Sequence, residues 1–92
     1  MSPSSDVLVE RTARLPEEVA LHARPAGWLV RAAAAFAAEV HVSANGRRAN
    51  AKSILDVLAL GAEGGTELAI DASGEDAVAA AEHLVLLIPK LT

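Results

Sequence analysis

The chain contains 92 residues and no cysteine, so a thiolate nucleophile, a disulfide framework and a thiolate zinc site are all excluded, and three histidines carry most of the available chemistry. His22 differs from the other two in its setting, Leu21-His22-Ala23-Arg24-Pro25, immediately before the start of a helix. The first N–H groups of a helix lack internal partners and carry the positive end of its dipole, so an anion placed there is stabilised. Arg24 adds a permanent cation two residues on. A ring nitrogen of His22 is thus placed to accept a phosphoryl group among amide donors and a guanidinium. The residues alone leave two readings of equal weight: a phosphoacceptor, or a helix-start histidine without chemistry. His41 alternates with Val40 and Val42 and reads as a solvated strand residue, and His83 lies beside Glu82 on a polar helix face. No short ligand spacing joins the histidines, so no metal is expected.

Ser53 is the second chemical candidate. Asp56 follows three residues later, a capping-box pattern that opens a short helix over Ile54–Leu60. A phosphate on the Ser53 hydroxyl would bring about two negative charges beside Leu55 and Leu58 and act as an off switch. So short a helix cannot bury Ile54, Leu55, Val57 and Leu58 on one side, so part of this set should form an exposed apolar patch.

The elements that hold these residues can be read from periodicity and turn signals. Val7 to Leu15 reads as a strand, stopped by Pro16 and the acidic pair Glu17 and Glu18. A helix is expected from Pro25 to about Ala38, burying Ala26, Leu29, Val30, Ala33, Phe36 and Ala37 and leaving Trp28 and Arg31 outside. Val40 and Val42 lead into Asn45-Gly46, a hairpin signal because a type I′ turn needs positive φ at both central residues. The returning strand is Arg47–Ala51. Gly61 closes the short helix, and Thr66–Ala72 alternates as a strand. Ser73 with Asp76 repeats the capping-box pattern before a last helix that buries Ala77, Ala81, Leu84 and Ile88 and stops at Pro89.

Composition narrows the function classes. Alanine supplies 21 residues of a set that is 52% hydrophobic, and Phe36 and Trp28 are the only aromatic side chains besides histidine. Alanine favours helix but adds little bulk, so a walled substrate cavity is hard to build here. The net charge of −4 argues against nucleic acid. The longest apolar run, Ala32 to Ala38, is seven residues, far too short for a membrane span, and Met1 to Asp6 is polar with an acid where a signal peptide needs basic charge. One domain over residues 1–92, in the cytoplasm, is the expectation.

With these motifs in view, the chain resembles the HPr family, the histidine-containing phosphocarrier proteins of the bacterial phosphoenolpyruvate:sugar phosphotransferase system. The resemblance rests on Leu21-His22-Ala23-Arg24-Pro25-Ala26, on Asn45-Gly46-Arg47-Arg48, and on Lys52-Ser53-Ile54-Leu55 with Val57, Leu58, Leu60 and Gly61. The separation of His22 from Ser53 also agrees, and the likeness runs from about Val7 to Ile88. It implies an α+β fold, an open-faced β-sandwich of four antiparallel strands covered on one side by three helices. It further implies that His22 takes a phosphoryl group from enzyme I, charged by phosphoenolpyruvate, and passes it to the IIA components of sugar permeases, with Arg24 steadying the phosphate. Such a protein is a carrier and substrate in a relay, not an enzyme, and needs no cofactor. Ser53 matches the serine modified by an HPr kinase/phosphorylase, and Leu55 and Leu58 match the docking surface; Ile54, beside them in the apolar patch, and Trp28 are further candidate contacts for partners. A regulatory binding module of the same fold, or a phosphocarrier of a nitrogen-control branch, are the alternatives. Three features depart from the family pattern: Ala20 in place of glycine, a loop at Pro16–Val19 longer by about two residues, and Asp56, an acid that repels a phosphate on Ser53.

Overall fold

The computed structural model describes residues 8–92; Val7, expected at the head of the first strand, and the polar segment 1–6 lie outside the described residues. The elements run β1 (Leu8–Arg14), α1 (Ala23–Ala34), β2 (Glu39–Ala44), β3 (Arg47–Asn50), α2 (Ile54–Ala59), β4 (Glu67–Ser73) and α3 (Ala77–Leu87), followed by a 3-10 turn at Ile88–Lys90. The four strands form one antiparallel sheet in the order β1-β4-β2-β3.

Alternation decides which face of the sheet is covered. Val9 and Ala13 of β1, Val40 and Val42 of β2, Ala49 of β3 and Leu68, Ile70 and Ala72 of β4 point to one side. The helices supply Ala26, Leu29, Ala33, Val57, Ala77, Ala80, Ala81 and Leu84 against them. The opposite face is polar. There Asp71 accepts from Arg48 Nε at 3.2 Å and Nη2 at 2.8 Å, and His41 Nδ1 lies 3.7 Å from the same carboxylate. Asp71 holds the Arg48 guanidinium above its ordinary pKa, chiefly through this hydrogen bond. His41 is therefore not the freely solvated strand residue that alternation alone predicts. The hairpin forms as expected, with φ of 56° at Asn45 and 76° at Gly46, and Asn45 Nδ2 donates to Leu60 O at 3.2 Å, fastening the turn to the end of α2.

Two helix ends differ from expectation. α1 starts at Ala23 with His22 as its N-cap, two residues earlier than Pro25 suggests, and stops at Ala34 instead of Ala38. It ends without glycine. The N–H groups of Ala37 and Ala38 donate to the Asp76 carboxylate at 3.0 and 2.7 Å, and Lys52 Nζ donates to Phe36 O at 2.7 Å. These contacts hold the chain in a turn where the alanine run would otherwise continue as helix. Phe36 is consequently half-buried and Ala37 exposed, while Ala26, Leu29 and Ala33 carry the buried stripe. Asp76 is also why the expected Ser73–Asp76 capping box does not form. It occupies the N-cap of α3 without a side-chain cap bond, its carboxylate being engaged across the structure.

Those backbone donors, that of Ala37 foremost, depress the pKa of Asp76. A carboxyl depressed in the folded state stabilises the fold above its unfolded pKa, and the contribution disappears as pH falls through the folded value. Asp76→Asn is therefore expected to lower the urea midpoint at about pH 7, and the gap to the parent should narrow in acid, below the ordinary carboxylate range. Equal gaps at neutral and acid pH would show that the charge on Asp76 is not what matters.

Candidate functional site

The position of His22 follows from the residues on either side of it. Leu21 is buried and donates its N–H to Ala62 O at 2.8 Å. His22 donates its own N–H to Ala20 O at 2.8 Å, and its carbonyl accepts the first helical bond from Ala26 N at 2.9 Å. The backbone at His22 is extended, with φ −86° and ψ −170°, and its side chain makes no cap bond. The imidazole is exposed, with neither ring nitrogen committed to the helix.

The first turn of α1 supplies what an anion needs. Ala23 and Arg24 occupy positions whose N–H groups have no partner within the helix, and Pro25 has no N–H to offer. No acidic residue stands in that turn, so the positive end of the dipole is uncompensated. Arg24 is exposed and forms no ion pair among the described residues. His22 and Arg24 share an open depression with Glu18, Val19, Ala20, Ala23, Pro25 and Thr92. Glu18 and Thr92 were not expected there. An acid four residues before His22 is visible in the sequence, but the approach of Thr92 is a product of tertiary folding alone.

Ser53 sits at the start of α2 as expected, and Ser53 Oγ accepts from Asp56 N at 3.3 Å. Only half of the capping box is made. The Asp56 carboxylate accepts from Asn50 N at 3.4 Å, while Ser53 N donates to Asn50 O at 3.0 Å. The helix ends at Ala59 and spans six residues, with an acid already in its first turn. The first turn of α2 therefore carries an acid that the first turn of α1 lacks. Of the α2 apolar set, Val57 is fully buried and Leu58 half-buried, while Ile54 is 38% and Leu55 76% exposed. Trp28, on the outer side of α1, is 52% exposed, and the Arg31 guanidinium lies 4.9 Å from its ring centroid. His41 and His83 do not line the depression; the His83 ring lies 5.6 Å from that of Phe36.

This architecture has close counterparts among solved structures. An HPr from Bacillus anthracis superposes with a TM-score of 0.84 at 30% identity, covering 90% of this chain and 99% of that one. An HPr from Thermoanaerobacter tengcongensis gives 0.82 at 35% identity, covering 87% and 90%. In sequence, the phosphocarrier protein HPr of Haemophilus influenzae is 48% identical over 71 residues, 77% of this chain and 84% of that protein. The HPr of Vibrio cholerae is 40% identical over 84 residues, 91% and 99%. The family model for the phosphotransferase-system HPr component phosphorylation site matches residues 9–90. The chain belongs to the HPr family, the phosphocarrier proteins of the phosphotransferase system.

The loop before His22 depends on one glycine. A Cβ on Gly64 would run into the Glu17 carbonyl and crowd Val19 N at 3.2 Å. Gly64→Ala is expected to displace the 16–20 loop, lower stability by about 1–3 kcal/mol, and shift the His22 imidazole resonances in NMR spectra. An unchanged melting temperature with unchanged His22 resonances would contradict this account.

Proposed function

We propose that His22 is the phosphoacceptor of this phosphocarrier, receiving the group from enzyme I and passing it to IIA components of sugar permeases. The observation that carries the reading is the exposed, uncapped imidazole at the N-terminus of α1, a helix with no acid in its first turn, with Arg24, which forms no ion pair among the described residues, in the same depression. In the transfer, a ring nitrogen of His22 attacks phosphorus and the bond from phosphorus to the donor breaks, its electron pair staying with the donor. The proton on the other ring nitrogen leaves, giving a neutral phosphoimidazole ring. Arg24 and the N–H groups of Ala23 and Arg24 face the phosphoryl oxygens. Dipole contributions of about 0.3–1 kcal/mol and a charge-assisted bond of about 1.5–3 kcal/mol are modest, as suits a group that must be handed on.

The expected compartment is the cytoplasm; among the described residues no helix is long and apolar enough to cross a membrane. Regulation at Ser53 by an HPr kinase/phosphorylase has thinner support, because its hydroxyl already caps α2 and Asp56 puts a negative charge in the same first turn. A purely regulatory binding module leaves unexplained the exposed Arg24 in one depression with His22.

Incubation with enzyme I and phosphoenolpyruvate should add one acid-labile phosphoryl group, seen as an intact-mass increase, that His22→Ala abolishes. Persistence of that label in the variant overturns the assignment. Ile54, Leu55, Leu58 and Trp28 are the proposed partner contacts. Leu55→Lys, at a side chain that is largely exposed, is expected to leave the melting temperature within about 2 °C and to raise the KM for phosphorylation by enzyme I roughly tenfold. An unchanged KM would remove Leu55 from the docking surface.

A further inference from the structure

The loop between β1 and α1 divides two adjacent acids. Val19 N donates to Pro16 O at 3.1 Å, closing a turn with Glu17 and Glu18 at its centre. The same carbonyl accepts from Gly65 N at 3.0 Å, and Leu15 N donates to Thr66 O at 3.0 Å, so the turn is fastened to the 62–66 segment from both sides. The Glu17 carboxylate lies over Gly65, with Oε2 3.2 Å from where a Cβ on that glycine would stand. Glu18 instead lines the depression that holds His22 and Arg24. It is exposed and forms no ion pair or hydrogen bond that would neutralise it among the described residues. An acidic residue thus borders a site whose other charged groups favour an anion.

We propose that Glu18 tunes the transfer potential of the phosphoryl group on His22, raising the free energy of the phosphorylated state so that the group passes on more readily. The inference rests on His22 being the phosphoacceptor. Arg24 and the start of α1 stabilise the bound phosphoryl oxygens, and Glu18 partly offsets them. Glu18 takes no part in making or breaking the bond from phosphorus to nitrogen. It acts through space on the roughly two negative charges that arrive with the phosphoryl group, and the effect is largest when solvent ions are few. It differs from a general acidity of the surface because only one member of the Glu17-Glu18 pair borders the site.

The test is the equilibrium between phosphoenolpyruvate and the phosphorylated carrier, established with catalytic enzyme I and read as the phosphorylated fraction at fixed ratios of phosphoenolpyruvate to pyruvate. Glu18→Gln is expected to shift this equilibrium about threefold toward the phosphorylated form at low salt, the ratio to the parent falling toward one at about 1 M salt. It should also lengthen the hydrolytic half-life of the isolated phosphorylated protein. Glu18→Asp should keep the parent value, and Glu17→Gln, whose carboxylate lies elsewhere, should not move it. An unchanged equilibrium in Glu18→Gln, or an equal shift in Glu17→Gln, overturns the proposal. Failure of the parent protein to take up any acid-labile phosphoryl group would instead overturn the assignment of His22.

Discussion

The end of α1 is closed by side chains from two other parts of the chain, and much of the structure depends on that closure. The helix enters an alanine-rich run with strong helix propensity and no glycine to stop it. Asp76, at the start of α3, takes the N–H groups of Ala37 and Ala38, and Lys52, just before α2, takes the carbonyl of Phe36. All three helices are thereby referenced to one point. From it the chain turns into β2, the strand between β4 and β3, so the same contacts set where the sheet begins relative to the helices above it. The opposite end of α1, which carries His22, inherits its place from this arrangement and from the 62–66 segment that holds Leu21.

The core is a layer rich in alanine, valine and leucine between the sheet and the helices, and the residues that carry chemistry lie on its surface. The N-termini of α1 and α2 show how similar elements are differentiated. α1 is long, without acid in its first turn, and preceded by an uncommitted imidazole; α2 is six residues, with Asp56 in its first turn and a serine already serving as cap. The acid in the first turn weakens the pull of the α2 dipole on an anion, and the first turn of α1 has no such acid. Leu55 and Ile54 remain exposed because a helix as short as α2 can bury only one narrow stripe.

Much of this was legible in the residues. The Asn45-Gly46 turn, the alternation of β2 and β4, the buried stripe of α3 and the cap role of Ser53 all come from local rules of geometry and hydrogen bonding, and each is found in the structure. The motif around His22 and the spacing to Ser53 are enough to suggest the family. Misreadings occurred where a polar side chain had a choice of partners. Asp76 has the spacing of a capping box but finds two better-placed donors in the turn between α1 and β2. His41 alternates like a solvated residue but lies beside Asp71, which is on the neighbouring strand only because β4 inserts between β1 and β2.

The same distinction separates what the chain determines locally from what folding adds. Helix and strand periodicity, turn chemistry and the identity of the phosphoacceptor candidate depend on neighbours within a few residues, so one-dimensional order suffices to read them. The extent of α1, the company His22 keeps with Glu18 and Thr92, and the requirement for glycine at position 64 depend on segments distant in sequence that close packing brings within hydrogen-bond or van der Waals range. Such contacts are short-ranged in space and unconstrained in sequence separation, which is why only the tertiary structure could decide them.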